Sequence, residues 1–493
     1  EICEDAWVAQ RPAGRLSRQA LDVVLNPSAS HFAFDKQDVR ERLVVEGSRA
    51  HGVTYVYANL LGNEAGRVIY DGACLIASGG ALLARSERLY WRDLRVLTAT
   101  VDLQATRYRQ ARTGSFSTAV QDDAMCVRVD AQLPAAEPAL PPADQADWDR
   151  PGEARRFEEF TRAIALGLGD YLRRSRSRGF VISLSGGADS AAAACLVRCC
   201  WDLGLREHGS AAWLERLGLP PGTTFPDFCT CVYQATANSG SVTRDAAREL
   251  AEHLQARFHV IDVEELVQGY RSRVEDMLGR SLDWQRDDIA LQNIQARARA
   301  PGVWMLTNCL GALLLATSNR SEAAVGYATM DGDTCGGLSP INGIDQAFLR
   351  RWLGWMEQTG PAGLGPVPAL AAVNRQTPTA ELRPQEQGQT DEEDLMPYPV
   401  LDAIERQAIR DKLAPADCLR VLRLQFPEAS EERARFWVQR YFRLWSRNQW
   451  KRERYAPGFH VDDANLDPKT WCRFPILSSG FADELHRLET EER

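Results

Sequence analysis

Three groups of residues in this sequence have the types and spacing for chemistry. Ser185-Gly186-Gly187-Ala188-Asp189-Ser190 joins an apolar run, Phe180 to Leu184, to an Ala-rich stretch, Ala191 to Leu196. Glycines let backbone N–H groups approach an anion, serine hydroxyls add donors and a helix N-terminus adds a favourable dipole, so a turn of this composition suits phosphate. Asp189 stands where it could hold a magnesium ion against that phosphate. The plainer alternative is a tight turn in which Ser and Asp are only caps; the strand-loop-helix context favours phosphate. A second group lies further on: Asn293 to Arg299 with two arginines, Thr317-Ser-Asn-Arg-Ser-Glu322, Asp333, an acidic run from Gln389 to Asp394, and Lys451-Arg452. Taken singly, these are a solvated helix face, a turn-forming Asx residue, a solvated loop and a surface basic cluster. The third group is Cys3 and its neighbours Glu1-Ile-Cys-Glu-Asp-Ala-Trp7. A thiol there is a strong nucleophile only where a base or low pKa supplies the thiolate.

The elements that must position these groups follow from hydrophobic spacing. Residues 1–130 read as an α/β segment, with short apolar runs at Asp22–Asn26, Val53–Leu61, Val68–Tyr70 and Ala73–Ala77, and helical spacing across Lys36–Ala50. Residues 131–155 are rich in Pro, Ala and Asp without periodicity, the composition of a linker. From 156 to 460, strand candidates Phe180–Leu184, Phe228–Tyr233, Phe258–Val263 and Ala312–Ala316 alternate with helical stretches Thr243–Gln255, Glu264–Met277 and Asp287–Ala300. That alternation predicts a doubly wound parallel sheet, whose ligands bind at the carboxyl ends of strands. Helices are expected at Val400–Lys412, Ala416–Leu424 and Glu431–Leu444, followed by an irregular tail over 461–493.

Bulk composition narrows the function. The 493 residues are 44% hydrophobic and 25% charged, which is ordinary for a globular chain of two or three domains. A formal charge of -9 offers no basic surplus for a nucleic-acid backbone, so no nucleic-acid partner is expected. The apolar runs are too short to span a bilayer. Twelve cysteines without paired CxxC spacing form neither a disulfide framework nor a structural zinc site, and a reducing, cytoplasmic setting is expected.

Ser-Gly-Gly-x-Asp-Ser at 185–190 resembles the pyrophosphate loop of the ATP-pyrophosphatase family, which cleaves ATP between its α and β phosphates and transfers AMP to an oxygen. The loop gives a reaction class; further segments resemble NAD⁺ synthetases within it. Asn293-Ile-Gln-Ala-Arg-Ala-Arg299, Thr317 to Glu322, Gly326-Tyr-Ala-Thr-Met-Asp-Gly-Asp333, Pro378-Thr-Ala-Glu-Leu382, Gln389 to Asp394 and Arg447 to Arg452 follow the family's order. The resemblance implies ATP contacts from Ser185, Gly186, Gly187, Asp189, Ser190, Thr317 and Thr379. It implies contacts to deamido-NAD⁺ from Asn293, Arg297, Glu322, Asp333 and Lys451, with magnesium at Asp189 and Glu322; Asp333 is left between ribose and metal. The implied reaction is ATP-dependent amidation of deamido-NAD⁺ to NAD⁺ through an adenylated nicotinate, with AMP and pyrophosphate released, in a homo-oligomer. The family's leading Gly is Ala316 here. A nucleotide-binding subunit without catalysis, or another amidotransferase using the same loop, are the alternatives.

The opening heptapeptide, Leu25-Asn-Pro-Ser-Ala-Ser30 and Tyr57-Ala-Asn59 resemble the later half of a nitrilase-type glutaminase with an α-β-β-α sandwich. The resemblance implies Cys3 as nucleophile and Ser30 and Lys36 as glutamine-binding residues. In that family the base Glu and the catalytic Lys precede the Cys on segments this sequence does not contain. The expectation is therefore synthesis from ammonia, with glutamine-dependent synthesis only after complementation.

Overall fold

The structure, a computed structural model, describes residues 1–64, 66–118, 127, 129–131, 137, 146–149, 151–376, 382–383 and 395–490. The chain divides into two units, Glu1–Glu159 and Phe160–Arg493.

In the first unit the apolar runs become β1 (Val23–Ser28), β2 (Thr54–Asn59), β3 (Cys74–Ser78) and β4 (Ala81–Arg85), with α1 (Lys36–Ala50) after β1. They form one sheet in the order β1-β2-β3-β4. β1 and β2 are parallel, a pairing that requires a crossover, and α1 supplies it. β2, β3 and β4 pair antiparallel, β3 and β4 through a Gly79-Gly80 turn whose positive φ angles of 59° and 86° suit glycine. Val24, Val44, Val53, Tyr55, Tyr57, Leu75 and Ala77 fill the core between sheet and α1.

The second unit carries most of α2 (Glu153–Ser175), within which the division falls. Then come β5 (Phe180–Ser183), α3 (Ala188–His208), β6 (Cys229–Ala235), α4 (Ser241–Leu254), β7 (Arg257–Asp262), α5 (Glu264–Leu278), α6 (Asp288–Leu310) and β8 (Leu313–Leu315). All four strands are parallel, in the order β8-β5-β6-β7, with Ile182 opposite both Cys231 and Leu315. The inner strands are buried on both faces and read as unbroken apolar runs. The chain leaves β5 toward β6 and returns to β5's other side as β8. A topological switch point therefore opens at the carboxyl ends of β5 and β8.

The helix expected over Asp287–Ala300 runs on to Leu310 through Pro301. Proline removes one hydrogen bond and disfavours a helix interior, but Val303 beyond it is fully buried against Val181, Val232 and Leu314. Tertiary packing outweighs the local cost.

The helical extension comprises α7 (Arg320–Val325), α8 (Gln346–Gln358), α9 (Tyr398–Glu405), α10 (Pro415–Gln425), α11 (Glu431–Arg447) and α12 (Ala482–Thr490). The helix expected to reach Lys412 ends as an α-helix at Glu405 and passes into a π turn, Arg406–Arg410. The stretch read as an irregular tail also differs: Leu466, Cys472, Leu485 and Leu488 are buried in one core with Leu422, Tyr441 and Phe442. Its helix has only 9 residues, so the periodic signal carried by Leu485 and Leu488 is short. Among the described residues no helix is long and apolar enough to cross a membrane.

Candidate active site

The phosphate loop is shaped by what glycine permits. Gly186 has φ +84°, and a Cβ there would lie 2.0 Å from the carbonyl oxygen of Thr243. Only glycine fits that conformation and that approach. Inside the loop, Ser190 Oγ accepts from the Ser185 amide at 3.1 Å, the two hydroxyls lie 3.0 Å apart, and the Gly187 amide donates to Ser185 Oγ at 3.3 Å. Gly187 is the N-cap of α3 and brings no capping side chain. The first turn of this 21-residue helix thus meets the cleft with its positive dipole end.

The loop after β8 meets the phosphate loop through Asn319, which is fully buried. Its Nδ2 donates to Asp189 Oδ1 at 3.0 Å and to Gln346 Oε1 at 3.0 Å. Its Oδ1 accepts from the Glu322 amide at 3.0 Å, so the same side chain caps α7. One amide thereby fixes the candidate metal ligand, the start of α7 and the start of α8 relative to each other.

A third segment, Gly326–Asp333, is held on both sides. Lys451 Nζ donates to the carbonyls of Gly326 and Ala328 at 2.7 and 3.0 Å. Burial lowers the pKa of Lys451, with Asp333 nearby acting in the opposite sense. Thr329 donates through Oγ1 to Asn293 Oδ1 at 3.0 Å and through its amide to Asp333 Oδ2 at 2.9 Å. Arg297 Nε donates to the Met330 carbonyl at 3.0 Å. Gly332 packs so closely on α6 that a Cβ would lie 2.9 Å from that of Ala296.

These loops enclose a cleft of about 250 Å³ lined by Ser185, Gly187, Asp189, Ser190, Thr317, Glu322 and Asp333. Gly186 shapes the wall without facing the cleft, while Asn293, Arg297 and Lys451 brace the Gly326–Asp333 loop behind it. Thr379 lies outside the described residues. Asn319, Gln346 and Arg350 are additions. Asn319 sits within a recognisable loop, but its bridging role depends on a partner 130 positions away, and Gln346 and Arg350 belong to an amphipathic helix without any motif.

Among the described residues no three His, Cys, Asp or Glu side chains gather into a self-contained metal centre. Two carboxylates facing one cleft suit instead a hard cation that takes much of its shell from phosphate oxygens and water, as magnesium does.

In the first unit Cys3 has φ +46°, in the left-handed region rarely adopted by a side-chain-bearing residue, and opens a 3₁₀ turn, Cys3–Ala6. Ser30 is buried and accepts at Oγ from Arg40, while its backbone is held by Asn59. Arg40 also pairs with the buried Asp71. Lys36 Nζ lies 3.1 Å from His31 Nε2. Burial, with Lys36 and Arg40 close by, holds the His31 pKa down to about 4, so its neutral ring accepts from the ammonium.

A glycine-shaped phosphate loop at the switch point of a parallel sheet, with two candidate metal carboxylates in the same cleft, defines a nucleotide-binding α/β protein of the ATP-pyrophosphatase class. The NAD synthase profile matches residues 160–454. The chain belongs to the NAD synthase family. It is 40% identical to a glutamine-dependent NAD(+) synthetase from Cytophaga hutchinsonii, whose crystal structure it matches with a TM-score of 0.79 over 99% of this chain and 72% of that one. Glutamine-dependent NAD(+) synthetases from Homo sapiens and Saccharomyces cerevisiae are 29% and 28% identical, each match covering 97% of this chain and 71% of the relative.

Proposed function

We propose that this chain is a ligase that amidates deamido-NAD⁺ to NAD⁺ at the expense of ATP. The carrying observation is the Asn319 bridge, which holds the phosphate loop and Glu322 in one cleft. The nicotinate carboxylate attacks the α phosphate, pyrophosphate leaves, and ammonia then displaces AMP from the mixed anhydride. The protein's part is to orient and stabilise charge, and no protein nucleophile takes part in adenylation. Loop amides and the hydroxyls of Ser185, Ser190 and Thr317 receive phosphate oxygens. Magnesium, when bound, neutralises those oxygens, and Asp189 and Glu322 are the residues suited to hold it. Asn293, Arg297 and Lys451 hold the Gly326–Asp333 loop, through which Asp333 faces the substrate. The match of the chain to the NAD synthase family over this region supports the substrate assignment.

The first unit is assigned to nitrogen supply, with Cys3 attacking the glutamine amide and Ser30 and Lys36 in the glutamine site. The left-handed Cys3 and the names of the relatives support that assignment. Free thiols among the described cysteines fit a reducing, cytoplasmic setting.

A second copy of this chain is the expected partner. On α5, Leu266, Tyr270, Val274 and Met277 recur at helical spacing and are all exposed, as are Ile289 and Met305 on the adjoining α6. Arg271 and Arg273 are mixed with Glu275 and Asp276 on α5, and Arg280 and Arg286 with Asp283 and Asp287 in the segment that leads to α6. Mixed charge around an apolar stripe suits self-pairing across a two-fold axis.

The direct test incubates the chain with ATP, magnesium and deamido-NAD⁺, adding ammonium or glutamine, and measures AMP and NAD⁺. Stoichiometric AMP and NAD⁺ with ammonium are expected. ATP binding without either product would replace catalysis with a nucleotide-binding role.

A further inference from the structure

We propose that Arg350 is the side chain that takes the leaving pyrophosphate. The proposal rests on reading the cleft as the ATP site. Of the described residues lining it, two are basic, Arg299 and Arg350, against three carboxylates, Asp189, Glu322 and Asp333. A bound triphosphate adds further negative charge, and a divalent ion at Asp189 and Glu322 offsets only part of it. A cation at the phosphate end is therefore required for electrostatic balance.

The two arginines belong to different walls. Arg299 is on α6, and its carbonyl accepts from Gln234 at the end of β6. Arg350 is on α8, one helical turn after Gln346, which shares Asn319 with Asp189. Residues four apart lie on one helix face, and helical side chains lean toward the N-terminus. Arg350 and Gln346 line the same cleft as the phosphate loop, and the Arg350 guanidinium reaches the carbonyl of Gln376, which also lines it. α8 also packs on α3, whose first turn completes that loop. Among the described residues the Arg350 guanidinium donates to the Gln376 carbonyl, at 3.4 Å, and meets no carboxylate. A planar guanidinium held by one long bond keeps a pair of parallel donors for two phosphate oxygens.

In the reaction the new bond joins a nicotinate carboxylate oxygen to the α phosphorus. The bond from that phosphorus to the bridging oxygen breaks, and pyrophosphate departs with the electron pair. Arg350 stabilises the charge that gathers on the departing group and needs no proton transfer to do so.

The test compares the chain with Arg350→Gln and Arg350→Lys, monitoring folding by thermal melting. Three quantities are read with ammonium as nitrogen source: KM for ATP, KM for deamido-NAD⁺, and inhibition by inorganic pyrophosphate against inhibition by AMP. Calorimetry with magnesium pyrophosphate gives a readout independent of turnover. Arg350→Gln is expected to weaken pyrophosphate binding and inhibition roughly 10- to 100-fold and to raise the KM for ATP, the loss of a charged hydrogen-bond pair. AMP inhibition and the KM for deamido-NAD⁺ should move less than about threefold, and Lys should restore part of the loss. Unaltered pyrophosphate binding in a folded Arg350→Gln protein would overturn the proposal, as would equal weakening of every ligand. If the unaltered chain forms no AMP and NAD⁺, the reading of the site has failed rather than the role of Arg350.

Discussion

At the scale of the residue, the site depends on two positions that no other side chain can fill, and both can be tested. Gly186→Ala combines a left-handed backbone with a Cβ placed 2.0 Å from the Thr243 carbonyl oxygen. The backbone strain alone costs about 1–3 kcal/mol, and the loop must shift to relieve the contact. The variant should melt earlier and lose most ATP-dependent turnover; full activity at unchanged stability would show that the loop tolerates what the geometry forbids. Asn319→Ala removes three hydrogen bonds at once. Releasing Asp189 and the start of α7 should lower kcat/KM for ATP by about 100-fold, the scale of a displacement near 1 Å in a reacting group. Steady-state kinetics at saturating deamido-NAD⁺ would reveal it. These positions also divide what the sequence discloses from what it withholds. Ser185, Asp189 and Ser190 are legible because strand, glycine turn and helix are contiguous, so local chemistry and local structure agree. Asn319 is not, because its meaning lies in partners from α3 and α8 that only the folded sheet brings together.

At the scale of the element, the strands of the second unit lie close to where their apolar runs put them, whereas α6 overruns Pro301 and α12 forms in a stretch expected to be irregular. Both differences arise from packing, which a local pattern does not register. The same holds under the site, where α7, α8 and α9 meet around Arg320. Its guanidinium donates to Asp462 at 2.7 Å and to Asp345 at 3.1 Å. Its Nε lies 2.5 Å from Glu405 Oε1 without hydrogen-bond alignment, and the contact gains its full charge only when Glu405 loses its proton. Asp402 adds another buried carboxyl, bonded to Ser321 and to the Ala347 amide. Burial, reinforced by Asp345, raises the Asp402 pKa to about 7. Burial raises that of Glu405 to about 8 against the opposing pull of Arg320. Both groups bind protons in the folded chain at a pH where the unfolded chain has released them. Their stabilising effect is therefore complete below about pH 4, the unfolded range for carboxylates, and is lost as pH rises through about 7 to 8. Melting of the chain and of Glu405→Gln across pH 5 to 9 should show stability falling less steeply in the variant. Parallel curves would mean that Glu405 does not carry the linkage.

At the scale of the whole molecule, the two units imply separable chemistry and a surface that calls for a partner. Once complementation supplies the glutaminase base and lysine, replacing Cys3 by Ala should lower glutamine-supported NAD⁺ formation far more than ammonium-supported formation, because the proposed adenylation site lies in the second unit; equal losses would tie Cys3 to the synthetase reaction. The exposed stripe on α5 argues at the same scale. A single exposed apolar residue is ordinary, but Leu266, Tyr270, Val274 and Met277 share one helix face, and a continuous apolar stripe marks an interaction surface. Charges of both signs flank the stripe, so an identical face presents no block of like charge against it. Tyr270→Glu with Met277→Lys should therefore shift the chain to a smaller species in sedimentation while leaving its own fold intact, since neither side chain belongs to the core. The cleft gives this step a functional reading. α6 contributes Arg299 and Ala296 to the cleft wall and Asn293 and Arg297 to its bracing, so if a second copy covers α5 and α6 as proposed, its loss should loosen the proposed deamido-NAD⁺ side first. A raised KM for deamido-NAD⁺ with a smaller change for ATP is expected in the dissociated variant. An unchanged sedimentation coefficient would remove this face from the assembly.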